Sequence, residues 1–225
     1  IRDCLLSRGL GDVYKRQVIF DRNVVEFVTV AAEFCKFLEQ AETMKRDTFV
    51  DTSLKILPLL YLKTAMLPET EIIGDEAPES YVTEETYEVL RINLAGILAE
   101  KDDYLDVFIQ DMVYSDQPIK KNISEDLADI YQAIKDFIFV FQLGLNKTMN
   151  DSLAICQEQF KEYWGQTLVN TLRALHDVKY NHAAEEEDTI EEDFDEEECG
   201  CHGHDHGHCD CDDDDCHCHG HHHHE

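Results

Sequence analysis

SEDLADIYQAIKDFIFVF, residues 124–141, is the stretch on which the fold turns. Leu127, Ile130, Ile134, Phe137 and Phe141 recur at steps of three, four, three and four, which lines them along one face of an α-helix. Ser124, followed by Glu125 and Asp126, supplies an N-cap with acids against the positive end of the helix dipole.

The same period extends outward in both directions. Val24, Val28, Ala31, Cys35 and Leu38 form an earlier stripe, and Phe49–Met66 repeats it around Pro58. Proline lacks a donor and crowds the preceding turn, so that segment is expected to be one kinked helix or two short ones. Thr83 with Glu84 and Glu85 opens a helix carrying Tyr87, Leu90, Leu94 and Ile97, and another is expected to start near Asp102 and end before YSDQPIKKN. Asn150 and Asp151 open the last, through Leu153, Cys156, Phe160, Trp164, Leu168, Leu172 and Leu175 to about His182. No stretch of strand length alternates with a period of two. The expected fold is all-α: an antiparallel bundle of about six helices, with short connections except for the acidic loop 68–80. Gly96, Gly144 and Gly165 fall inside helical patterns, where close helix contact is the expected reason for them.

VVEFVTVAAEFCKFLEQAE (24–42), LKILPLLYLKTAMLPE (54–69), YLDVFIQDMVYSDQPI (104–119), DIYQAIKDFIFVFQLGL (129–145) and YWGQTLVNTLRALHDVKYN (163–181) together resemble an uncharacterised bacterial family, domain of unknown function 5063. The resemblance covers about residues 20–182. It implies a single helical domain and no assigned chemistry.

Four segments divide the chain. SRGLGDVYKRQ, residues 7–17, resembles a translated sequencing adapter, so residues 1–17 are set apart from the fold. Residues 18–182 are the helical domain, 183–198 an acidic spacer expected to be disordered, and 199–225 a Cys/His/Asp-rich tail. The net charge is −30, and from residue 183 onward there are 18 acids and no Lys or Arg, which leaves −12 on the rest. A basic footprint for nucleic acid is missing and an anionic membrane would repel the chain. No transmembrane or secretory segment is read, and a cytoplasmic setting is the expectation.

Catalytic motifs are scarce. Glu-x-x-His pairs, His-Glu-x-x-His, a Gly-x-Ser-x-Gly elbow, a phosphate-binding loop and a dinucleotide fingerprint are all absent from the sequence. The polar groupings left in the body are Asp106, Asp111, Tyr114 and Asp116, and His176 with Asp177 and Tyr180. Turn-forming and helix-dipole roles account for them more simply than a base and its orienting partner. Cys35 and Cys156 lie on apolar stripes and read as small core hydrophobes. The reading leans away from an enzyme.

The tail has a specific chemistry. Cys199, Cys201, Cys209, Cys211, Cys216 and Cys218 form three Cys-x-Cys pairs. His202, His204, His206, His208, His217, His219, His221, His222, His223 and His224 lie among them. Thiolate and imidazole are ligands for zinc, nickel and copper, and the absence of paired Cys-x-x-Cys units points to several exchangeable sites rather than one finger. The expected function is non-enzymatic metal sequestration or delivery, with the body docking a protein partner. The alternative is an interaction module whose tail only confers solubility.

Overall fold

The computed structural model describes residues 18–74, 80–106 and 119–181. The adapter-like residues 1–17, the spacer 183–198 and every tail ligand from Cys199 to His224 lie outside the described residues.

Helix α1 (Arg22–Glu39) begins at Asp21, whose carboxylate accepts the Asn23 N–H at 2.8 Å. A 3₁₀ turn (Ala41–Thr43) leads to α2 (Arg46–Ala65). Pro58 lies within α2, so the segment is one helix rather than two; its ring faces solvent, where the Leu54 carbonyl that it leaves without a donor can be hydrated. Helix α3 (Glu84–Leu98) starts at Thr83 as expected, through a reciprocal cap in which Thr86 N–H donates to Thr83 Oγ1 at 3.3 Å and Thr83 N–H to Thr86 Oγ1 at 3.0 Å.

The expected helix from Asp102 is the main correction. Residues Asp103–Asp106 form strand β1, which pairs antiparallel with β2 (Ile119–Asn122), Asp103 opposite Asn122 and Asp106 opposite Ile119. Asp102 looks like a helix start because Asp favours N-caps, and it does cap a helix, but one that begins at residue 123. A four-residue strand is too short for its alternation to be read, and its partner lies across a long connection.

Helix α4 (Ile123–Gln142) follows β2 directly, and Gly144, at φ +74, ends it in the left-handed conformation that glycine accepts most readily. Then come α5 (Asn146–Gln159), a π-helical turn (Phe160–Trp164) and α6 (Gly165–Tyr180), end to end. Among the described residues there are therefore five helical rods rather than six, the last interrupted by the π turn, and the first turn of α5 precedes the expected Asn150.

Helix α4 is the hub: it packs against α1, α3, α5 and α6, while α2 closes the bundle between α1 and α6. Leu127, Ile130, Ile134 and Phe137 are buried there, and Phe27 of α1 meets Phe137 with ring centroids 5.3 Å apart. Each such side chain withdrawn from water stabilises the fold by about 1.5–3 kcal/mol. Phe27 and Phe34, which lie beside the α1 stripe read from sequence, are among the most buried residues.

The glycines divide. Gly165 is in close contact, though with its own rod rather than another helix: its N–H bonds the Phe160 carbonyl across the π turn, and a Cβ there would stand 2.4 Å from that oxygen. Gly96 is not, since a Cβ there would meet nothing within 4 Å.

Candidate functional site

Helices α4 and α5 are joined by only three residues, 143–145, and so run antiparallel. On α4, Asp129, Gln132, Ala133, Asp136 and Phe137 recur at helical spacing; on α5, Ser152, Ile155, Cys156 and Gln159 do the same, and Tyr163 and Trp164 of the π turn extend that wall. The two stripes face each other across a cleft of about 500 Å³. Tyr163, far along the second wall, reaches back to Asp129 near the start of the first.

Asp129 accepts hydrogen bonds from two phenols, Tyr87 of α3 at 2.7 Å and Tyr163. Burial, and then the hydrogen bond to Asp129, push both phenols up, so they remain protonated donors. At the other end Asp136 accepts from Ser80 Oγ at 2.6 Å, Tyr81 N–H at 2.7 Å and Val82 N–H at 2.8 Å, which ties the entry to α3 onto α4. Among the described residues no Lys, Arg or His lines the cleft. The Ser152 hydroxyl is bonded to the Met149 carbonyl at 3.0 Å, and burial drives the Cys156 thiol up, away from thiolate.

A second polar group lies where the hairpin meets α4 and α6. Asp102 caps α4, its carboxylate accepting Ser124 N–H at 2.7 Å and Ser124 Oγ–H at 2.6 Å. Asp126 is buried, accepts from Tyr104 of β1 and from Thr171 of α6 at 3.2 Å, and is raised by burial to about 6. Asp106, on a strand rather than a helix, is buried and pairs with Lys121 at 3.3 Å. Its sequence companions Asp111, Tyr114 and Asp116 lie outside the described residues.

His176 and Asp177 are exposed and do not form a base with its orienting partner: the His176 ring packs on Tyr180, centroids 4.6 Å apart, and Asp177 accepts from Asn181. Cys35 and Cys156 are buried as expected, and burial pushes the Cys35 thiol up to about 12. Among the described residues no group of three or more His, Cys, Asp or Glu is placed to hold a metal ion. The tail ligands Cys199, Cys201, His202, His204, His206, His208, Cys209, Cys211, Cys216, His217, Cys218, His219 and His221 to His224 lie outside the described residues.

Sequence reading missed the cleft. Asp129 and Asp136 are assigned no role by the sequence patterns, and Trp164 falls on the apolar stripe of the last helix. The available signal was their separation of seven residues, which puts two carboxylates on one face next to the apolar stripe.

Among the described residues no helix is long and apolar enough to cross a membrane. A family model described as "Domain of unknown function (DUF5063)" matches residues 18–181. The solved structure of protein BF1032 from Bacteroides fragilis is similar, with 76% sequence identity and a TM-score of 0.65; the likeness covers 73% of this chain and 96% of that one. No curated protein matches.

Proposed function

The chain belongs to the family of domain of unknown function 5063, and from that premise we propose that its helical domain carries a transition-metal-binding tail, residues 199–225, that sequesters or hands over zinc, nickel or copper. The observation that carries the reading is ligand density: six Cys and ten His within 27 positions, interleaved with Asp205, Asp210 and Asp212 to Asp215. Thiolate and imidazole suit these borderline and soft ions, and the surrounding carboxylates concentrate cations near them. Cys-x-Cys and alternating His spacing supports several overlapping, exchangeable sites, which suits loading and release better than a closed structural site does. In this reading the helical domain docks the protein that gives or receives the metal.

Native mass spectrometry tests this, comparing residues 1–225 with residues 1–182, both reduced and without oxygen, under competing zinc, nickel and copper. Defined metal stoichiometry on the longer chain alone is the expected result. Equal loading of the two chains would overturn the proposal.

A further inference from the structure

The cleft between α4 and α5 is lined by residues of the helical domain and lies outside the metal reading. We propose that it binds a linear aliphatic diamine in its doubly protonated form, with one ammonium at Asp129 and the other at Asp136.

Register comes first. Asp129 and Asp136 are seven residues apart, so they share one face of α4 and stand about 10 Å apart along its axis at about 1.5 Å per residue. Between them the cleft offers apolar side chains, Ala133 and Phe137 on one wall and Ile155 and Cys156 on the other, beside the neutral polar groups of Gln132, Ser152 and Gln159. A ligand lying along it meets negative charge at each end and methylene-compatible surface between.

Charge comes second. With no Lys, Arg or His lining the cleft among the described residues, an anion would meet two carboxylates without compensation from them. Asp129 makes no ion pair among the described residues, although it lies in a cleft wall where an ammonium would be partly withdrawn from water. A carboxylate has about four acceptor positions. Asp129 uses two of them on tyrosines and Asp136 uses three on residues 80–82, so both retain capacity. A monoamine would neutralise one end only.

Trp164 is the chain's single tryptophan and lies in the cleft wall, so its emission reports on this place. The experiment titrates the full chain with cadaverine, with amylamine as the monocation and with pentanediol as the neutral analogue. The expected result is a saturable change in Trp164 emission with cadaverine, about tenfold weaker with amylamine or in Asp129→Asn, the loss for one partly desolvated charge contact. Pentanediol produces none, and Glu33→Gln, on the exposed side of α1, binds as the parent does. Equal weakening in Glu33→Gln and Asp129→Asn, or a response that never saturates, would show only general attraction of cations to an acidic protein and overturn the proposal. If a thermal melt shows Asp129→Asn unfolded, the comparison of cadaverine with amylamine on the parent chain decides: equal affinities overturn the two-ended site.

Discussion

Asp102 caps a helix it does not belong to: its carboxylate takes both the backbone N–H and the hydroxyl of Ser124, at 2.7 and 2.6 Å, while its own carbonyl accepts the Ile123 N–H at 2.8 Å. The hub helix is thus closed at its N-terminus by the residue just before β1. Asp102→Ala strands two buried donors and is expected to lower stability by about 2 kcal/mol, read from urea unfolding. A loss no greater than that of an exposed Asp→Ala control would refute the cap.

Asp126 makes the hairpin junction sensitive to pH. Burial raises it to about 6, offset only in part by the Tyr104 hydrogen bond and the charge of Lys121. The folded chain therefore binds this proton more tightly than the unfolded chain does, where a free Asp titrates near 4. Its stabilising contribution is complete below about pH 4 and is lost as pH rises through about 6. Asparagine keeps an acceptor for Tyr104 and Thr171 without the charge. Asp126→Asn is expected to gain on the parent by about 2 kcal/mol between pH 4 and pH 7. A difference that does not vary with pH would contradict this.

Two glycines are expected to respond with opposite sign. Gly96 is exposed within α3 with open space around it, so Gly96→Ala stabilises by about 1 kcal/mol through backbone entropy. Gly165→Ala forces a methyl to within 2.4 Å of the Phe160 carbonyl and the π turn must give way, at a cost of about 2 kcal/mol. Melting temperatures of the two variants settle both; a rise for Gly165→Ala would mean that the π turn does not constrain residue 165, and a fall for Gly96→Ala would contradict the open space around it.

Cys35 and Cys156 are expected to resist alkylation in the folded chain, because burial holds both as thiols. Peptide-level mass spectrometry after brief iodoacetamide treatment, with and without denaturant, checks this. Modification of either residue without denaturant, at the rate seen with it, would contradict their burial.

The helices were legible because their signal is local. The stripe from Leu127 to Phe141 and the cap at Thr83 each need only neighbours within a turn or two, and both are where the spacing puts them. The hairpin was not legible: β1 is four residues long and exists through pairing with residues 119–122. Sequence reading set Asp126 against the helix dipole, and it does lie in the first turn of α4; that it is also buried depends on Tyr104 of β1 and Thr171 of α6, which no spacing reveals.

By itself, then, the sequence determined the all-α class, the thiol and imidazole content of residues 199–225, and the excess of acids, because periodicity, residue type and charge belong to residues taken singly or a few apart. Tertiary structure alone decided that Asp129 and Asp136 line a cleft, that Asp102 caps α4, and that Gly165 is fixed by a carbonyl while Gly96 is not. Burial and hydrogen-bond partnership depend on what other segments bring to the same place, and that is a property of packing.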